Sequence, residues 1–514
     1  MKEILEFIPS DKVPEQLEAF RLFVHRREED VPLYKFLREP THLHDVDWEN
    51  YGNLCIWRDN ETVVCVGSRL YGQYEERNVA FAISRSGEAP KNLFFTVYGR
   101  DNKAIAETAT LFCSLKRVVE KNEEFYSLII ANGQNFDCEA FQPQQLAQIL
   151  DANPTQEVNL VGLIFNEKQS IKLATRPFPL KLKLTDDLER RLAFKDGGTA
   201  FIDAIQERQS PFGNLKFSCY GRTLPLNSHA LARLTRLEDK FESLKLSQVA
   251  ADCALLPLSA KVQSLDYFID FRNVQTGSFD QLDIAAKDLA VCIHSLGPNG
   301  DSTDRLISFL DRVAELGHFE QLKFAFGDTR FLKLTPITEA LIRVMKANKN
   351  LTHIDLGGVQ YLFEEAPHLE NIFQALEENT GLLRTICVQY PPEYVRPDDY
   401  SALEWLLLRN QNIEVVNSQG KRITNGSSIE KLYALHDFYR GSSSLVKDSD
   451  SLRSSLVVTT LTESSLANFQ YTALLLADHA DKLCELLDGF TLESVDDAGQ
   501  AVEELASPVA APSD

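Results

Sequence analysis

Three short stretches decide how this chain reads: FEQLKF (319–324), LTHIDL (351–356) and LLRTICV (382–388). Apolar residues recur in each at i, i+3 and i+5. Aligning the middle apolar residue gives Leu322, Ile354 and Ile386, then Val416 in NIEVV (412–416), at spacings of 32, 32 and 30. Strings that stay in phase over four copies mark an internal repeat, and a repeat dictates the whole architecture. Between the strings the period changes from that of a strand to that of a helix. TPITEALIRVMKANKN (335–350) offers Thr335 as an N-cap and Pro336 in the first turn, with Leu341, Val344 and Met345 on one face. LENIFQALEENTG (369–381) and SALEWLLLRNQN (401–412) repeat the pattern. Each helix closes on a polar turn with an asparagine: Asn348, Asn379 and Asn410.

Upstream the period loosens while the unit persists. FGNLKF centres on Leu215, FESLKL on Leu244 and VQSLDY on Leu265, at spacings of 29 and 21. From Leu265 to Leu322 is 57 residues, about two units, through FDQLDIAAKDLAVCIHSLG (279–297). Earlier still, KNLFFTVYG (91–99), FYSLII (125–130) and VNLVGLIF (158–165) read as strands followed by helix or loop.

A strand of LxxLxL type followed by a helix, in units near thirty residues, resembles the ribonuclease-inhibitor class of leucine-rich repeats. The resemblance is clear over about 315–420 and degenerate over about 90–315. It implies an α/β solenoid with parallel strands on a concave face and helices on a convex face. The asparagine that normally follows the family's strand is mostly missing; LTHIDL runs into Gly357-Gly358 instead. The physics points the same way. One strand–helix unit cannot bury its own apolar face, whereas stacked units bury each other's. An ordinary α/β domain would also alternate strand and helix. Equal spacing, and the lack of a glycine-rich loop after any strand, favour the repeat array.

The ends do not share the repeat. Residues 1–90 read as an α+β cap: a helix in VPEQLEAFRLFVHRREED (13–30) with Leu17, Phe20 and Phe23 on one face, a hairpin from Cys55 to Gly67, and a strand from Asn78. The array is expected over 91–425. Residues 426–492 are expected to hold a Ser-rich linker, GSSSLVKDSDSLRSS (441–455), and then one capping helix with Leu466, Phe469, Leu474, Leu476, Leu483 and Leu487. Residues 493–514, acidic and rich in Ala and Pro, are expected to be a disordered tail.

Composition narrows the function. The chain has 514 residues, 31 of them Phe, so an extensive core is expected. Its formal net charge is -22, which argues against nucleic acid and anionic membranes as partners. Nine scattered cysteines without a CxxC read as reduced thiols of a soluble, cytoplasmic protein. The N-terminus MKEILEFIPSDK does not read as a secretory signal, and no stretch approaches a membrane span.

Searching for chemistry yields one cluster, HLHDVD (42–47). His42, His44 and Asp45 could begin a metal site, and a metal-dependent hydrolase is the alternative from another class. The remaining histidines are isolated, so a structural loop is the better expectation. NGDSTDRL (299–306) reads as a helix start near Asp301, Ser302 or Thr303 rather than a phosphate site. A substrate adaptor for a ubiquitin ligase is a further alternative, resting on residues 1–90. The principal expectation is a monomeric, non-catalytic scaffold without cofactor or metal that binds a protein partner on the concave sheet. Strand alternation nominates the outward residues: Asn214, Lys216, Ser243, Lys245, Gln321, Lys323, His353, Asp355, Thr385 and Glu414.

Overall fold

The computed structural model describes residues 4–12, 31–48, 53–67, 77–85, 92–117, 126–133, 135–186, 190–219, 221–274, 279–294, 301–327, 332–359, 366–377, 382–389, 400–444, 450–459, 461–462 and 469–489. The chain divides into two compact units, Met1–Leu351 and Thr352–Asp514.

The first unit is built on one large, mostly parallel sheet. Its strands are β1 (Leu5–Ile8), β2 (Leu33–Phe36), β3 (Leu54–Arg58), β4 (Thr62–Gly67), β5 (Asn78–Arg85), β6 (Asn92–Gly99), β7 (Tyr126–Asn132), β8 (Glu157–Val161), β10 (Leu180–Thr185), β12 (Gly213–Ser218), β13 (Phe241–Leu246), β14 (Ser264–Asp270), β15 (Asp288–His294) and β16 (Gln321–Phe326). The short β9 (Ile164–Phe165) and β11 (Ala193–Phe194) pair separately. Register fixes the order β1-β2-β3-β4-β6-β5-β7-β8-β10-β12-β13-β14-β15-β16. From β3 to β7 neighbours are antiparallel; from β7 onward every pairing is parallel. Parallel neighbours need a long crossover, and the sequence between these strands supplies it.

The strands on either side of residue 90 belong to one antiparallel set. β6 lies between β4 and β5, and β5 pairs with β7, so the antiparallel set runs to Asn132. The Cys55–Gly67 hairpin is present as β3–β4, but the strand from Asn78 reaches it only through β6. The helix read over 13–30 lies outside the described residues.

One row of buried residues runs across the parallel strands in strict register: Leu182, Leu215, Leu244, Leu265, Leu289 and Leu322. Each is 2% exposed or less, and such a side chain contributes about 1.5–3 kcal/mol by burial. Leu289 supplies the strand missing between Leu265 and Leu322. The shortened 21-residue step from Leu244 to Leu265 has a local cause. A 3-10 turn at Leu256–Ser259, with Pro257 inside it, stands where other repeats carry a helix. Helices Asn102–Cys113, Pro143–Ala152, Glu167–Ala174, Thr199–Glu207 and Ser228–Leu234 pack each against the next, as do Asp301–Leu316 and Leu334–Ala347. Between helices and sheet run chains of phenylalanine rings, for example Phe165, Phe194, Phe201, Phe212 and Phe241, with centroids 5.3–6.1 Å apart. Phenylalanine abundance thus reports the core.

Asparagines at helix ends tie one strand–helix unit to the one before it. Asn153 donates to Cys113 O (2.9 Å), and Asn348 Oδ1 accepts from Phe319 N (3.1 Å). In the helix preceding Asn348, the first residue is Leu334, so Thr335 sits inside the first turn and makes no cap. Pro336 still falls where the backbone N–H has no helical partner.

In the second unit β17 (His353–Gly358), β18 (Thr385–Cys387) and β19 (Glu414–Val416) are parallel. Ile354, Ile386 and Val415 are in register, so the residue aligned with Ile354 and Ile386 is Val415 and not Val416. Two adjacent valines left that phase open; Ile413 and Val415, both 0% exposed, settle it. Helices Ala366–Glu377, Ser401–Arg409 and Ser428–Ser444 pack in succession. Asn410 at the end of the second donates to Leu376 O (2.9 Å); Asn379 lies outside the described residues.

The C-terminal reading needs correction. Helix Ser428–Ser444 runs through Gly441, and Asp450–Thr459 is a further helix, so most of the expected linker is helical. Its anchor is Tyr433, whose hydroxyl donates to Val415 O (3.0 Å) and accepts from Val415 N (3.2 Å). The expected single capping helix is two, Phe469–Asp478 and Ala480–Gly489, separated at buried His479. Arg453 holds that break by donating to His479 Nδ1 (3.3 Å) and pairing with Asp481. Leu487, expected on the apolar face, is 60% exposed; Leu466 and the tail 493–514 lie outside the described residues. Among the described residues no helix is long and apolar enough to cross a membrane.

Candidate functional site: the polar face of the sheet

Strict alternation along the parallel strands sends leucines into the core and polar side chains to the opposite face. In β10, Leu182 and Leu184 are buried while Lys181 and Lys183 are half-buried; β12 repeats this with Leu215, Phe217, Asn214 and Lys216. All ten nominated residues lie on such positions and none is buried.

Register shows which of them meet. Asn214 pairs with Ser243 and Lys216 with Lys245, on adjacent strands. Ser243 Oγ donates to Asn214 Oδ1 (2.5 Å). Gln321 and Lys323 are not next to these four, because β14 and β15 intervene; they pair with Asp288 and Ala290. In the second unit His353, Thr385 and Glu414 form one row. Three residues there are already engaged, His353 through its Nδ1, which lies 2.8 Å from Thr352 Oγ1. Asp355 Oδ1 accepts from Gly357 N (2.9 Å), and Glu414 is held by Arg422, which also pairs with Asp437 (2.7 Å).

The principal feature of the face was missed at the sequence level. Lys183, Lys216 and Lys245 stand side by side in register on β10, β12 and β13, with Lys181 in the adjacent row. Neighbouring strands are about 4.8 Å apart, so like charges crowd together. Acids relieve part of this. Lys216 Nζ reaches Glu157 across β10 (2.7 Å), and Lys245 pairs with Asp266. The Lys183 side chain makes no hydrogen bond or ion pair with any described residue. The alternation in LKLKLT (180–185) was the available signal; it lacks the LxxL spacing that located the other strands.

Positive charge continues past the carboxyl ends of these strands. A cleft of about 530 Å³ is lined by Asp186, Arg191, Thr223 and Arg222, with Arg222 3.7 Å from buried Asp186. A neighbouring cleft of about 440 Å³ is lined by Asn132, Gly162, Arg190 and Arg191.

The His42–His44–Asp45 cluster is committed to its own loop. The two rings lie 5.1 Å apart, and His42 Nδ1 is 2.9 Å from Thr41 Oγ1. Asp45 Oδ2 accepts from the backbone N–H of Thr41 (2.8 Å) and His42 (2.9 Å). The backbone donors of His42 and Thr41 hold its carboxyl below the usual range, as a turn-closing carboxylate requires. Among the described residues no three His, Cys, Asp or Glu side chains converge as a metal ion would need. Cys138 and Cys219 are pushed up by burial, to about 11 and about 12, far from a reactive thiolate. No family model, no curated relative and no solved structure matches this chain.

Proposed function

We propose that the chain is a non-catalytic interaction scaffold, a leucine-rich-repeat-like solenoid of the ribonuclease-inhibitor type, whose polar sheet face takes an acidic segment of a partner protein. The lysine row carries this reading. A chain with formal net charge -22 concentrates Lys181, Lys183, Lys216 and Lys245 on three adjacent strands. Cationic crowding within an acidic protein favours an anionic partner there and disfavours it elsewhere on the surface. The row is aromatic-poor, which suits a wet protein interface rather than a small-molecule pocket. The parallel register, the leucine row and the asparagine ties support the repeat reading.

The test is quantitative affinity purification from cell extract, comparing wild type with Lys183→Glu/Lys216→Glu/Lys245→Glu at matched circular dichroism. Loss of a partner that also dissociates as salt is raised is the expected result. An unchanged set of partners would contradict the assignment of the face.

A further inference from the structure

The hairpin β3–β4 places two cysteines face to face. Cys55 and Cys65 are direct cross-strand partners, and their sulfurs are 2.9 Å apart. Cys55 gives its backbone N–H to Pro32 O, on the β2 side (2.9 Å). Its backbone hydrogen-bonding groups therefore point away from β4, and the Cys55–Cys65 pair is of the non-hydrogen-bonded kind. Such pairs bring Cα atoms to about 4.5 Å, inside the roughly 4.4–6.8 Å window of a disulfide. A bond of about 2.05 Å then needs the sulfurs to close by less than about 1 Å.

The register that opposes the two thiols is held from elsewhere. Asn60 in the turn donates to Thr108 Oγ1 (3.0 Å) and Ala104 O (3.3 Å). Arg58 donates to Thr108 Oγ1 (2.6 Å), and Thr62 and Thr108 share a hydrogen bond of 2.8 Å. Oxidation would capture a geometry that already exists. The surroundings also divide the labour between the sulfurs. Cys55 is 2% exposed and packs with Val63, Leu33 and Trp57, whereas Cys65, on the edge of the same cluster, is only half-buried. The neighbouring Cys65 thiol, and burial, push the Cys55 thiol well above its ordinary range, so it persists as a thiol until its partner has reacted.

We propose that Cys55 and Cys65 are a site of reversible thiol oxidation, closing to a cross-strand disulfide when the chain meets a low-molecular-weight disulfide such as oxidised glutathione. The Cys65 thiolate attacks one glutathione sulfur; the other glutathione leaves as thiolate, and a mixed disulfide forms at Cys65. Cys55 loses its proton to solvent and attacks Cys65 Sγ, and the second glutathione leaves. Two protein thiols become one disulfide, and one oxidised glutathione becomes two reduced ones.

The experiment equilibrates the full chain in glutathione buffers of stepped ratio, quenches with acid, alkylates the remaining thiols and maps peptides by mass spectrometry without reduction. The expected product is a Cys55–Cys65 linked peptide, lower by two hydrogen masses than the dithiol form, that disappears when the ratio is reversed. Its formation is expected to dim Trp57, read in a Trp48→Phe/Trp405→Phe background. Cys65→Ser removes the linked peptide and leaves Cys55 slow to alkylate; Cys113→Ser leaves it intact. Full alkylation of both cysteines at every ratio, or a glutathione adduct on Cys65 that Cys55 never displaces, would overturn the proposal. Since the wild-type chain carries the primary readout, misfolding of a variant does not decide the result.

Discussion

Replacing Asn348 by alanine is expected to loosen one tie between successive repeats without touching the sheet face. Asn348 is 3% exposed, and its Oδ1 is the acceptor for the Phe319 backbone N–H at 3.1 Å. Its Nδ2 donates to Val344 O at 2.9 Å, but that carbonyl keeps the Asn348 backbone N–H at 3.2 Å after the substitution. The group left alone is the Phe319 N–H, beside a phenylalanine that is 0% exposed. A buried, unpaired N–H costs about 1–3 kcal/mol. At about 2 kcal/mol, the opening that exposes this strand becomes roughly 30-fold more frequent. A global melting curve is a poor readout for a long chain with two compact units, because a single transition is not guaranteed. Amide hydrogen exchange followed over the peptide spanning Gly317–Leu322 reads the opening locally. The exposed neighbour change Lys349→Ala serves as control. Equal protection in Asn348→Ala and Lys349→Ala would refute the idea that this side chain joins the repeats.

Leu265→Ala, near the start of β14 and 0% exposed, is expected to destabilise the first unit by about 2–5 kcal/mol, whereas exposed Lys323→Ala stays within about 0.5 kcal/mol; amide hydrogen exchange over the peptides holding β14 and β16 compares the two. Burial lowers the pKa of His436, whose Nε2 lies 2.9 Å from Leu407 O, so the folded chain keeps the ring neutral. An unfolded chain takes up that proton below about pH 6.5, so stability falls as pH drops through that value. Hydrogen exchange in Ser428–Ser444 is expected to quicken between about pH 7 and pH 5 after correction for intrinsic rates, less so in His436→Gln. Brief alkylation is expected to modify exposed Cys484 first and Cys113 only after unfolding, because burial both covers the Cys113 sulfur and pushes its pKa far up.

How far the fold could be read in advance follows from where the sequence is periodic. Leu322, Ile354 and Ile386 kept their equal spacing because each repeat there holds a full helix. The spacing of Leu244, Leu265 and Leu289 collapsed where Pro257 and short turns replace helices, so β15 was seen only as an unassigned segment. The pairing of the antiparallel set was not legible, because β5 and β6 are consecutive in sequence yet insert out of order beside β4 and β7; nothing local encodes that exchange. Gly441 and its serines suggested a linker, but the helix is held from outside by Tyr433 on Val415, a contact that composition does not carry. The outward faces of β12 and β13 followed from alternation alone. Lys183 did not, because its importance lies in its neighbours across the sheet, and register between strands 33 and 29 residues apart is a tertiary fact.

The most direct test of the sheet-face account is site-specific photo-crosslinking in cell extract. One photoreactive residue replaces Ser243, within the lysine-bearing face, and another replaces Glu339, exposed on the helix Leu334–Ala347. The account predicts that a discrete partner crosslinks at position 243, through an acidic segment identified by mass spectrometry, and that position 339 gives none. Crosslinking confined to position 339, or an equally strong and uniform yield at both, would contradict it.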